Sequence, residues 1–285
     1  MNRILFLTAL FLFFHFADIT AQDTTRNDNR PVTLSNTELF TITSESVKGE
    51  NYIIQVGLPA GYSKSTRKYP VLYVLDGDKS FGMTKEITDW LMWDGEIRDI
   101  IVVGISYGKG TAEWWEKRAR DYTQYKDTVY YHYPNAGGAD DFLSFIGQEL
   151  LPAINGRYRT NPDSSAIMGI SFGGLLSSYI LFARPALFKG YIIISPALFW
   201  NNDSILNTEN DYFRKSRELD KSVYLAYGSL DSNDWTINPS NDFIREVESH
   251  KYAGLNFKTE VFKGETHISV YPMALTHGLK MLFRK

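Results

Sequence analysis

The chain has 285 residues, enough for one large domain whose sheet is buried on both faces. Its formal net charge is only -3, with acidic and basic residues interspersed, so no electrostatic footprint for nucleic acid is present. The absence of cysteine excludes disulfides, thiolate metal sites, a cysteine nucleophile and a lipid anchor on cysteine.

Residues 1–22 read as a targeting segment, with Arg3 at the positive start, an apolar centre from Ile4 to Phe16, and the small-residue end Thr20-Ala21-Gln22. The apolar run is short for a bilayer, so a cleaved signal peptide is expected, leaving a periplasmic or secreted protein without stable membrane insertion. Residues 23–36 are polar and aperiodic, a flexible leader to a domain at 37–285.

Alternating β-branched and polar residues at 38–46 and 51–58, split by Lys48-Gly49-Glu50, predict an antiparallel hairpin at a sheet edge. The continuous apolar run through Val71-Leu72-Tyr73-Val74-Leu75 predicts a strand buried on both faces, ending at Asp76. A helix is expected at 83–93 and a strand at 100–105, followed by a loop through the charged segment Glu113-Trp114-Trp115-Glu116-Lys117-Arg118. An amphipathic helix at 140–155 carries Phe142, Ile146, Leu150 and Ile154 on one stripe. Strands are expected at 165–170, 190–195, 222–227 and 257–262, with helices at 174–184, 238–250 and 272–284. This alternation predicts an α/β domain with a mostly parallel central sheet, helices on both faces, and an N-terminal antiparallel hairpin.

Gly169-Ile170-Ser171-Phe172-Gly173 joins the apolar run at 165–170 to an apolar helix, which is the context of a nucleophile elbow. Glycines at 169 and 173 are expected to remove Cβ atoms where strand and helix cross. A second Gly-x-Ser-x-Gly, centred on Ser106, runs into the expected loop and lacks that context. A serine nucleophile needs a base and an acid that orients the base. Of the five histidines, His15 lies in the targeting segment, His132 in a tyrosine-rich stretch, and His250 and His277 in helical stretches. His267 alone follows a late strand, in Gly-Glu-Thr-His, and is the expected base. Asp231, in Gly-Ser-Leu-Asp after the 222–227 strand, is the expected acid, with Asp234 and Glu265 as rivals. The oxyanion of acyl transfer would take the Phe172 N–H and a donor from the loop after the 71–75 strand, placed at Asp78. The scattered histidines offer no metal-ligand spacing, so neither a metal nor another cofactor is expected.

With these residues placed, the chain resembles the α/β-hydrolase superfamily esterases that include siderophore (enterobactin and bacillibactin), feruloyl and acetylxylan esterases, S-formylglutathione hydrolase and the mycolyltransferases. The similarity is greatest to the siderophore-esterase branch. It rests on Tyr-Pro-Val-Leu-Tyr-Val-Leu-Asp-Gly at 69–77, Arg-Ala-Arg-Asp-Tyr-Thr at 118–123, Gly-Ile-Ser-Phe-Gly-Gly at 169–174, Ser195-Pro196 and Glu-Thr-His-Ile-Ser at 265–269. The resemblance implies a triad of Ser171, Asp231 and His267, an oxyanion donor at Asp78, and Arg120 near the substrate channel. Gln124 stands where the branch usually has proline after Arg-Asp-Tyr-Thr.

Aromatic residues crowd 111–137, among them Trp114, Trp115, Tyr122, Tyr125, Tyr130, Tyr131 and Tyr133, with Trp200 and Trp235 in later loops. Tyr122 and Trp200 are expected among the rings that stack on an aryl or sugar face. Arg118 and Arg120 either bind an acidic substrate group or pair with Asp121. The expected activity is hydrolysis of a small-molecule or carbohydrate ester through an acyl-enzyme. Acyl transfer to a sugar or lipid alcohol, and non-catalytic ligand binding on the same fold, are the alternatives.

Overall fold

The computed structural model describes residues 31–108, 110–126 and 133–285, so the expected signal peptide, His132 and the tyrosines at 130 and 131 lie outside the described residues. In chain order the strands are β1 (Thr37–Thr43), β2 (Asn51–Gly57), β3 (Val71–Val74), β4 (Ile101–Ser106), β5 (Ala166–Ile170), β6 (Gly190–Ile194), β7 (Ser222–Gly228) and β8 (Asn256–Phe262). They form one sheet in the order β1-β2-β4-β3-β5-β6-β7-β8. The β1–β2 hairpin is antiparallel and β2 joins β4 antiparallel, while every pairing from β4 to β8 is parallel. The continuous apolar runs became the central strands because both faces of the sheet are covered. β8, at the edge, alternates instead and leaves Val261 exposed.

The helices are α1 (Gly77–Trp93), α2 (Thr111–Tyr122), α3 (Ala139–Phe145), α4 (Leu151–Arg157), α5 (Phe172–Ala183), the short kinked α6 (Trp200–Asp203), α7 (Ile205–Lys215), α8 (Asn238–His250) and α9 (Tyr271–Phe283). Strand period decides what each face buries. Val71, Tyr73 and Leu75 point into a cluster with α2, α3, α5, α7 and α8, whereas Leu72 and Val74 meet α1 and α9. Residues Leu34–Lys285 make one compact unit around these two clusters.

Three local expectations change. The helix expected at 83 begins at Gly77, directly after β3, so its first turn stands beside the sheet's carboxyl edge. The expected helix at 140–155 contains a π turn at Ile146–Leu150, just before Pro152, whose ring cannot occupy a regular helix interior. The expected loop through 113–118 is helix α2, and its charges had disguised a packing face. Trp114, Arg118 and Tyr122 recur every four residues, and all three are buried with Ala119. Arg118 is tolerated there because it donates to Asp76 at 2.8 Å. Helix α7 had no counterpart in the sequence pattern, since only Ile205 and Glu209 within it are fully buried.

Candidate active site

The carboxyl edge of the parallel sheet gathers the loops after β3, β5, β6, β7 and β8, where the crossover topology leaves a crevice. Ser171 ends β5 and precedes α5 with φ 60° and ψ -119°, a conformation that side chains rarely adopt. The turn is held by Ser171 N–H donating to Ile194 O at 3.0 Å and Ala197 N–H donating to Ser171 O at 3.0 Å. A Cβ on Gly169 would collide with the backbone of Gly173, so strand and helix cross this closely only with glycine at 169. The second tight position is Gly174, where a Cβ would lie 2.9 Å from Pro196 Cα; at Gly173, expected to be the close one, the nearest atom is an ordinary 3.4 Å away.

Asp231 and His267 leave β7 and β8, and their loops are laced together by backbone. Leu230 N–H donates to Glu265 O at 2.9 Å, and Ser229 N–H to Phe262 O at 2.9 Å. Gly228 makes that approach possible, because a Cβ there would strike the Glu265 backbone. His267 Nδ1 lies 3.1 Å from both carboxylate oxygens of Asp231. The Asp231 side chain is 3 % exposed and that of His267 35 %. Burial pulls the Asp231 carboxyl upward, but the hydrogen bond and charge of His267 and the Ser232 N–H hold it below the usual aspartate range. Ser195, fully buried at φ 38°, also lowers it, although its hydroxyl meets no partner at hydrogen-bond geometry among the described residues. The rival acids go elsewhere: Glu265 accepts from Ser269, and Asp234 lines a neighbouring pocket.

Ser171, Asp231 and His267 open onto one cavity of about 590 Å³, walled by Trp115, Tyr133, Phe172, Phe199 and Trp235 among others. Phe199 and Trp235, stacked with centroids 5.9 Å apart, also wall an adjoining pocket of about 390 Å³ that carries Asp203, Asp234 and Asp242. Asp78 is the second residue of α1; its carboxylate accepts from the N–H groups of Tyr107 at 2.7 Å and Gly108 at 2.9 Å, closing the loop after β4. Ser106, the rival elbow serine, is buried and donates to Gln55.

The three residues expected to touch substrate do not line this cavity. Arg120 donates to Glu50 at 2.8 Å and to Asp121 at 2.6 Å, so its charge is spent within the fold. Tyr122 is fully buried and its hydroxyl accepts from Asp76 N–H at 3.0 Å. Trp200 is fully buried, donates to Tyr125 O at 2.9 Å and packs edge-on against Phe172. Trp200 supports the cavity residue Phe172, Tyr122 packs against Arg118, and Arg120 stays within its ion pairs.

A buried pair that the sequence reading did not foresee ties the serine loop to the β3 loop. Arg118 Nε donates to Asp76 Oδ1 at 2.8 Å and Nη2 to Ile170 O at 3.1 Å, under Trp114, Trp115 and Phe172. Asp76 is itself left-handed at φ 55°, and burial raises its carboxyl while Arg118 opposes the rise. The available signal was the helical spacing of Trp114, Arg118 and Tyr122. Glu209, Glu246 and His250 come within ion-binding spacing between α7 and α8, outside the cavity, where Glu209 already engages His250 at 2.8 Å and Tyr252 at 2.6 Å.

The chain is 29 % identical to the siderophore triacetylfusarinine C esterase of Aspergillus fumigatus, over 89 % of this chain and 95 % of that protein. It is 28 % identical to the ferri-bacillibactin esterase BesA of Bacillus subtilis, over 92 % and 94 %. The crystal structure of the BES protein from Bacillus cereus superposes with a TM-score of 0.80 at 28 % identity, covering 90 % of this chain and all of that one. The model of the Esterase family, described as "Putative esterase", matches residues 44–282, and the chain belongs to that family of ester hydrolases.

Proposed function

We propose that this esterase works through an acyl-enzyme on Ser171, with His267 as general base, Asp231 as the acid that orients it, and the N–H groups of Asp78 and Phe172 as oxyanion donors. The observation that carries the reading is the His267–Asp231 pair opening onto the same cavity as a serine held at φ 60°. With Nδ1 facing the carboxylate, Nε2 is the nitrogen left to receive a proton. Ser171 Oγ attacks the ester carbonyl carbon while its proton passes to His267 Nε2. The carbonyl oxygen becomes an anion at the starts of α1 and α5, where backbone N–H groups point out of the helix ends. Collapse expels the alcohol, which takes the proton from His267; water then repeats the sequence on the acyl-enzyme and releases the acid.

The relatives named as siderophore esterases support an ester-bearing small molecule as substrate. The apolar lining supports an aryl or alkyl group beside the scissile bond. The working unit is the domain at 37–285, acting in the periplasm or outside the cell after removal of residues 1–22. Ser171→Ala is expected to lower kcat on an aryl ester by about 10³–10⁶-fold with an unchanged circular-dichroism spectrum. Full retained turnover in that variant sinks the proposal.

A further inference from the structure

We propose that Arg118 is a positioning residue for the oxyanion hole, one that fixes the span between the two backbone donors without touching substrate. The inference rests on the serine-esterase reading and adds to it the side chain that holds Asp78 and Phe172 in register.

The two donors stand on loops from different strands. Asp78 follows β3 and Phe172 follows β5, and the last backbone hydrogen bond between those segments among the described residues is Leu75 N–H to Met168 O at 3.0 Å. Beyond it the chain enters α1 on one side and α5 on the other, so the two first turns need another tie. Arg118 reaches both. Its Nε donates to Asp76 Oδ1 at 2.8 Å, two residues before Asp78, and its Nη2 donates to Ile170 O at 3.1 Å, two residues before Phe172. A planar guanidinium holds these bonds in one fixed geometry, which an ammonium on a flexible stem does not enforce. Asp76 is gripped at its backbone too, where its N–H donates to Tyr122 Oη at 3.0 Å, and the Tyr122 ring lies 5.6 Å from the guanidinium carbon.

The setting of Arg118 favours position over stability. The residue is 2 % exposed, and its Nη1 has no hydrogen-bond partner among the described residues. A buried cation with an unmade bond costs stability that a well-packed apolar side chain would not. Around the guanidinium stand Trp114, Trp115 and Phe172, with ring centres 5.1, 5.1 and 5.2 Å away. Trp115 and Phe172 wall the cavity, whereas Arg118 is not among its lining residues. Trp114 also lies 5.9 Å from the ammonium of Lys79, the residue after Asp78, so α2 meets the first turn of α1 there as well. Substrate therefore meets the rings, and Arg118 acts through the backbone that it holds. Loosening that span weakens binding of the charged oxygen more than binding of the neutral ester.

The test compares the whole wild-type protein with Arg118→Lys and with Asp76→Asn on one aryl ester, counting working sites by titration with an aryl phosphonate. It also measures inhibition by an aryl trifluoromethyl ketone, whose serine adduct carries an oxyanion, against the corresponding alcohol, which forms no adduct. In Arg118→Lys, kcat per titrated site is expected to fall by about 30–100-fold with KM within about threefold of wild type. Affinity for the ketone should fall by the same factor as kcat/KM, while affinity for the alcohol holds. Asp76→Asn should show the same pattern at about tenfold. A merely structural arginine would lower Tm and the number of titratable sites and leave kcat per site unchanged, which overturns the inference. Ketone affinity within about threefold of wild type in both variants also overturns it, whatever happens to kcat. If Arg118→Lys yields no titratable sites, Asp76→Asn decides by the same criteria, and loss of sites in both marks the pair as required only for the fold. A wild type that neither titrates with the phosphonate nor prefers the ketone to the alcohol sinks the serine reading itself.

Discussion

The two sides of this site are held by different physics. On the serine side, the loops after β3 and β5 are tied by the Arg118–Asp76 pair, buried to within 3 % exposure on both side chains and roofed by aromatic rings. On the base side, the loops after β7 and β8 are tied by backbone hydrogen bonds, while Leu230 and Ile268 stand exposed. A strained serine at φ 60° persists only where its surroundings over-determine it, and a buried ion pair with directed hydrogen bonds does that. On the proposed mechanism the imidazole receives and returns a proton from a shallower, backbone-laced seat, its side chain 35 % exposed, while the charge of the oxyanion develops on the side held by the buried ion pair.

Changes at four places sharpen or break this contrast. The largest effect is expected from Asp231→Asn, which removes the charge that fixes the imidazole: kcat falls by about 10⁴-fold with thermal stability nearly unchanged. A large loss of Tm instead would show that the base side is also structurally tight. Arg118→Ala strands the Asp76 carboxylate and is expected to lower unfolding free energy by about 3–5 kcal/mol, with activity lost in parallel. Combining it with Asp76→Asn should restore part of that stability in urea titrations, and strict additivity would deny the pair its role. Gly228→Ala pushes the Glu265 backbone away and should reduce kcat about 10–100-fold while costing no more than about 2 kcal/mol. Glu50→Gln is the smallest. Burial raises the Glu50 carboxyl, yet Lys117 and Arg120 hold it below the ordinary glutamate value. Its contribution is therefore present above that value and lost as pH falls through the folded one. Wild type should exceed the variant by about 1–2 kcal/mol at pH 7, and the two should converge as pH falls below the folded value.

Much of this was legible in the chain because it obeys period. Every strand and the β1–β2 hairpin follow from apolar runs and alternation, and the family resemblance rests on motifs at the strand ends. What escaped was chemistry hidden by an exception to the pattern. Helix α2 looked solvated because its buried face includes Arg118, and a sequence does not show that Asp76, forty-two positions earlier, neutralises it. Arg120, Tyr122 and Trp200 looked like substrate contacts for the same reason. Polar and aromatic groups are equally suited to reaching a ligand and to supporting what does; burial separates the two for Tyr122 and Trp200, and ion pairing does so for Arg120. Gly174, not Gly173, proved the tight neighbour of the elbow because closeness to Pro196 is set by the β6 loop.

The hydroxyl bond between Thr84 and Tyr271, 2.9 Å long and buried, joins α1 to α9. Helix α1 begins at the loop expected to receive the oxyanion, and α9 begins just after the loop that carries His267. Local opening at this bond is expected to displace the loop that carries His267 before the β5 turn, which lies at the centre of the sheet, and on the proposed mechanism such a molecule would not turn over ester. Hydrogen exchange at α9 amides and loss of turnover should then rise together on mild denaturation, ahead of exchange in β5.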